Sequence, residues 1–159
     1  MSPEGIQLIV MIIMLICSSY FSATETAFSS LNKTRIKTLA EKGNKKAECV
    51  AALSDKYDKL LSTILIGNNI VNIVLSSICT VFCINLLKGN QSVGSAISTV
   101  VTTIVVLLFG EITPKSLAKE NPERFAMFSA PIIKFLMVVL TPLSILFGGI
   151  KVLLSKMIK

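Results

Sequence analysis

Apolar positions along the chain gather into four blocks, near residues 5–24, 60–87, 93–112 and 125–150, divided by short polar stretches. Each block approaches the roughly 20 residues a helix needs to cross bilayer hydrocarbon. The pattern predicts membrane spans over 5–27, 60–87 and 93–112, with KGNQS as a short turn between the second and third. Pro114 is expected to stop the third span, because it cannot donate the next helical hydrogen bond. Residues 33–59 are polar, yet Leu39, Ala40, Ala47, Val50, Ala51 and Leu53 recur at helical spacing, with an interruption at Gly43 and Asn44. That segment predicts a helical hairpin on the membrane surface. In the block 125–150, Pro131 and Pro142 divide the apolar run and Lys134 falls inside it. A hydropathy count makes it a fourth span. A kinked helix along the interface, with Lys134 reaching the headgroups, fits the same residues.

Charge placement bears on that choice. Eight of the sixteen basic residues lie between Lys33 and Lys59, and the turn between the second and third blocks holds only Lys88. Lys and Arg concentrate in cytoplasmic loops, so the 33–59 hairpin is expected inside and the N-terminus outside. Three spans then place fifteen basic residues inside with the C-terminus cytoplasmic, whereas four would put Lys151, Lys156 and Lys159 outside. The expected fold is an all-α integral membrane protein with three transmembrane helices, an inner-side helical hairpin and a juxtamembrane belt helix over 125–150. Four spans is the alternative. Glu4 precedes the first block and no basic residue does, so a retained span fits better than a cleaved signal peptide.

Charged residues make up 16% of the chain, against about 25% in soluble domains. The net charge of +7 follows membrane topology and lipid headgroups, and nucleic acid is not an expected partner. Histidine is absent, and the four cysteines form no CxxC pair, which disfavours zinc and thiol-redox chemistry. Cys79 and Cys83 share a helical face, the usual setting of small buried hydrophobes. With no base–nucleophile pair or cofactor motif in sight, an enzyme is not expected.

Polar residues inside spans are rare and commonly functional. Here they form three groups: Ser22, Thr24, Glu25 and Thr26; Thr63, Gly67, Asn68, Asn69 and Asn72; and Gly110, Glu111 and Thr113. Asn68 lies nine residues beyond Lys59 and Ser22 eleven before Lys33, which places both about 13–17 Å from those basic markers at 1.5 Å per residue. Asn68 and Asn72 share a helical face, whereas Asn69 points about 100° away, as helix–helix glue would. Every candidate donor is an oxygen, a set suited to Mg²⁺, Ca²⁺ or Na⁺. A helix broken at Gly67 or Gly110 would expose carbonyls, and Pro114 withholds the amide that would otherwise cover the Gly110 carbonyl. Other roles stay open: serine and threonine hydroxyls that bond their own helix, Glu111 paired with Lys115 at headgroup level, and Glu25 capping or salt-bridging at the inner boundary.

FSATETAFSSL, LLSTILIGNNIVN and GEITPKSLA resemble the three signature segments of the CorC/CNNM membrane domain, in the same order over nearly the whole chain. The GN…N and GEI-x-P segments are its specific part. The resemblance implies a homodimer in the plasma membrane, three spans per subunit, a belt helix and an inward-facing Mg²⁺ site, with transport in the export direction and coupled to Na⁺. Carried over by motif, the metal ligands are Ser22, Asn68, Asn72, Gly110 and Glu111, with Glu25 and Thr63 as secondary candidates. Cytoplasmic CBS domains are expected to follow such a domain. Two other readings remain: a membrane anchor and dimerisation module for a cytoplasmic regulatory region, and transport of another divalent ion such as Co²⁺.

Overall fold

The computed structural model describes residues 2–87 and 89–143. These residues form helices only: α1 (Pro3–Ser30), α2 (Lys33–Glu41), α3 (Lys45–Ser54), α4 (Tyr57–Leu86), α5 (Gln91–Val105), a π-helical stretch (Val106–Ile112), α6 (Thr113–Glu120) and α7 (Pro122–Val139). Local chemistry sets several boundaries. Ser2 Oγ accepts from the Gly5 amide at 3.2 Å to open α1, with Pro3 at the first helical position. Between α2 and α3 the backbone reverses at Gly43 with φ +85°, and Asn44 Oδ1 caps α3 by accepting from the Lys46 and Ala47 amides.

Three helical runs are long and apolar enough to span a membrane: Pro3–Ser30, Tyr57–Leu86 and the composite Gln91–Glu120. The chain is thus an all-α, multi-pass membrane domain. α7 carries Glu123, Arg124 and Lys134 within its 18 residues, too many charges for hydrocarbon, so the described residues hold three spans rather than four.

Three expectations need correction. The third helix does not stop at Pro114 but continues to Glu120, because the proline falls in the first turn of α6, where its fixed φ suits the helix, and the Phe109 carbonyl that its missing amide leaves open accepts from Ser19 Oγ instead. Gly67 does not break α4, which is continuous from Tyr57 to Leu86. A Cβ at that position would stand 2.5 Å from Phe21 Cζ, so glycine is there to admit the Phe21 ring. Pro131 lies inside α7 without ending it; the helix stops at Val139, three residues before Pro142. Residues 144–150 of the expected belt lie outside the described residues.

Packing is concentrated at one end of the bundle. Phe21, Phe28, Ile36, Val50, Ile64 and Ile133 anchor a core shared by α1, α2, α3, α4 and α7. Tyr20 adds a hydrogen bond from its hydroxyl to the Ser129 carbonyl, 3.1 Å, tying α1 to α7. Toward the other end, large side chains such as Ile16, Ile73, Val100 and Phe109 are exposed on the outer surface, as lipid-facing residues are. There α4 and α5 run antiparallel in close contact. A Cβ on Gly94 would stand 2.8 Å from Ile84 Cα, and Thr80 and Ser98 share a hydrogen bond of 2.9 Å.

Candidate ion-binding site

α1, α4 and the π-helical stretch meet at a cluster of polar atoms around Ser18. This side chain is fully buried, and its Oγ donates toward Asn72 Oδ1 at 2.8 Å and Asn68 Oδ1 at 3.2 Å. One hydroxyl hydrogen thus faces two amide oxygens and can satisfy only one of them at a time. Ser22 sits one turn further along α1. It is 1% exposed, and its Oγ has no hydrogen-bond partner among the described residues. Leaving a buried hydroxyl unpaired costs about 1–3 kcal/mol, which is offset if a ligand takes up the oxygen.

The π-helical stretch brings the third span to this cluster. Gly110 is buried against Ser18, whose Oγ would lie 3.0 Å from a Cβ at that position. Pro114 has two effects here. It is the α-register partner of the Gly110 carbonyl and the π-register partner of the Phe109 carbonyl, and it can donate to neither. The Phe109 carbonyl accepts instead from Ser19 Oγ at 2.6 Å, which fixes the π segment against α1. The same hydroxyl lies 2.9 Å from its own Leu15 carbonyl.

The structure gathers Ser22, Asn68, Asn72 and Gly110 around Ser18 and separates other candidates from it. Asn69 is exposed on the outer face of α4. Thr63 is buried but bonds back to the Lys59 carbonyl at 2.9 Å. Lys115 pairs with Glu25 at 3.1 Å rather than with Glu111. Glu111 is half-buried and has no ion-pair partner among the described residues. The described residues contain no group of three or more His, Cys, Asp or Glu side chains able to hold a metal, so any ion here would meet mostly neutral oxygens. Ser18 and Ser19 went unnoticed in the sequence. The available signal was a serine pair in mid-span, with Ser18 four residues before Ser22.

Three helices long and apolar enough to span a membrane, with a polar cluster between them, define a multi-pass membrane domain. The chain belongs to the CNNM family: residues 9–159 match the family model described as the Cyclin M transmembrane N-terminal domain. It is 44% identical to a UPF0053 protein of Haemophilus influenzae over 89% of this chain and 33% of that protein. It is 40% identical to the UPF0053 inner membrane protein YfjD of Escherichia coli, over 88% of this chain and 32% of that one. A UPF0053 protein of Mycoplasma pneumoniae is 31% identical over 86% of this chain and 33% of its own length. The chain therefore spans about a third of the length of these relatives. The resemblance carried by FSATETAFSSL, LLSTILIGNNIVN and GEITPKSLA is borne out at the level of the family.

Proposed function

We propose that this domain transports Mg²⁺ across the membrane, in the export direction and coupled to Na⁺, as one half of a homodimer. The observation that carries the reading is the part-buried cluster of Ser18, Ser22, Asn68 and Asn72, in which one Ser18 hydroxyl faces two amide oxygens and the buried Ser22 hydroxyl has no partner among the described residues. Mg²⁺ takes six oxygens near 2.1 Å. The Asn68 and Asn72 amides, the Ser22 hydroxyl, the Gly110 carbonyl and the Glu111 carboxylate, completed by water, supply a set of that kind. Neutral oxygens favour release, and one carboxylate supplies attraction where the dielectric is low.

The Ser18 hydrogen bonds also favour a second reading, in which the asparagines are glue in a membrane anchor for a cytoplasmic regulatory region. Calorimetric titration of the purified chain with Mg²⁺, Ca²⁺ and Na⁺ separates the two. In the transporter, Asn68→Ala and Asn72→Ala each weaken Mg²⁺ binding about ten-fold or more at unchanged thermal stability, on the scale of one charge-assisted contact. Asn69→Ala leaves binding near the parent value. If the first two variants instead unfold at lower temperature and the parent takes up no Mg²⁺, the anchor reading stands.

Orientation follows from the Lys/Arg distribution: the N-terminus and the turn at 87–90 lie outside, and the α2–α3 hairpin inside. In a chain cleared of native cysteine, Gly89→Cys should react with an impermeant thiol reagent applied from outside, and Gly43→Cys should not. The opposite labelling pattern would invert the assignment.

A further inference from the structure

Where α1 ends and α4 begins, the chain forms a small cavity of about 240 Å³. Its walls come from the α1–α2 junction, from α2 and from the end of α3. Leu31 directly follows α1, and Asp55 stands two residues before α4 starts at Tyr57. Two membrane-spanning helices thus bracket the cavity within a few residues, which sets it at the level of the lipid headgroups. Its volume lies below the roughly 300 Å³ at which sites for drug-sized ligands begin.

The lining is mixed. Leu31 and Ile36 are buried apolar residues, while Lys33, Lys37, Ser54 and Asp55 contribute polar groups. Lys33 and Lys37 are one turn apart on α2 and share a face. Neither forms an ion pair with Asp55, although all three border the same cavity. Charges of both signs therefore edge one space without neutralising each other. Ser54 is an independent observation: its Oγ is buried with no hydrogen-bond partner among the described residues. Thr38, Ser62 and Ser77 instead bond back to the carbonyl four residues earlier, so Ser54 is left with a donor to place.

We infer that this cavity binds a phospholipid headgroup, with the phosphodiester held by Lys33 and Lys37 and a headgroup hydroxyl donating to Asp55. The Ser54 hydroxyl, which no neighbour holds, turns to donate to the phosphate. Phosphatidylglycerol has this chemistry: a single negative charge for a lining of two ammoniums and one carboxylate, and free hydroxyls on its glycerol. Lysine serves phosphate as a point charge, and basic pockets at the ends of membrane helices take anionic headgroups. The position of the cavity favours a lipid over free phosphate, since acyl chains then lie beside α1 and α4. The site stands apart from the Ser18 cluster and is the same whether that cluster binds an ion or glues helices.

The test titrates the purified chain in a neutral detergent with phosphatidylglycerol, phosphatidylcholine and inorganic phosphate in turn, with native mass spectrometry counting the bound species. A single phosphatidylglycerol should bind per chain, about ten-fold more tightly than phosphatidylcholine, which has no headgroup donor for Asp55. The double variant Lys33→Gln, Lys37→Gln is compared with Lys45→Gln, Lys46→Gln, an exposed pair on the same hairpin that does not border the cavity. Both remove the same charge, so diffuse attraction to an anionic lipid falls alike in each. The cavity pair should lose about ten-fold more affinity than the control pair. Ser54→Ala, at unchanged charge, should lose about ten-fold, the scale of a hydrogen bond to a charged group. Unfolding midpoints without lipid should match across the lysine variants, because all four side chains are exposed. Equal losses in the two double variants overturn the site, and so does a parent with no preference for phosphatidylglycerol over phosphatidylcholine. Inorganic phosphate that binds as tightly as the lipid gives the cavity to a free anion and overturns the lipid assignment.

Discussion

Glu111→Gln should weaken Mg²⁺ binding by a hundred-fold or more, the largest single effect expected in this domain. Two carboxylates lie near the polar cluster in sequence, but the structure gives them different surroundings. Glu25 is neutralised by Lys115 at 3.1 Å, and both side chains are partly exposed at 28% and 39%. Glu111 is half-buried with no ion-pair partner among the described residues, next to Gly110 in the π-helical stretch. It is therefore the counter-charge available to a divalent cation. Removing one member of a buried charge pair costs about 3–5 kcal/mol, or at least two decades in affinity. Glu25→Gln should change affinity by a few-fold at most, since solvent-exposed pairs contribute about 0–1 kcal/mol. Titration calorimetry on both variants checks the contrast, and equal affinities for Glu111→Gln and the parent would place the site elsewhere.

Gly94→Ala is expected to be the most damaging small substitution for stability. The added Cβ would lie 2.8 Å from Ile84 Cα, 2.8 Å from its Cγ1 and 3.1 Å from its backbone nitrogen. Backbone atoms cannot rotate aside, so α4 and α5 must separate and the Thr80–Ser98 bond must stretch. Overpacking of this kind costs about 1–3 kcal/mol. Gly5→Ala is the control of opposite sign. Its new Cβ meets only Ser2 Oγ at 3.4 Å, and alanine in a helix is favoured over glycine by about 0.5–1 kcal/mol. Thermal unfolding in detergent should show a lowered midpoint for the first and an equal or raised one for the second.

The spans were legible in the sequence because an apolar run of about 20 residues has few other uses. The break at Gly43 and Asn44 was legible because a left-handed turn and a helix cap each need particular residues. Asn68 and Asn72 could be paired from their spacing alone. What escaped was whatever depends on a neighbouring helix. The rule that proline stops a helix presumes an α register in which its amide is needed, and Pro114 instead stands where a π-helical stretch returns to α. Gly67 suggested a break in the helix, but its reason lies on α1, in the ring of Phe21. Ser18 looked like any serine that bonds its own helix, and only the packing of α1 on α4 reveals two amide oxygens beside it. Lys115 could have served either carboxylate from its sequence position, and three-dimensional placement gave it to Glu25.

The uneven distribution of packing has a mechanical consequence. No residue of α1 before Ser18 is buried, and beyond Gly67 the buried positions of α4 are only Leu75, Cys79 and Cys83. At the opposite end, five helices lock together through Phe28, Ile36, Val50, Ile64 and Ile133. The domain is stiff at its base and compliant toward its tips, like a fork held by the handle. Any rocking of the spans would pivot near the polar cluster, so small rotations at the base become wide excursions at the 87–90 turn while the oxygens around Ser18 barely shift.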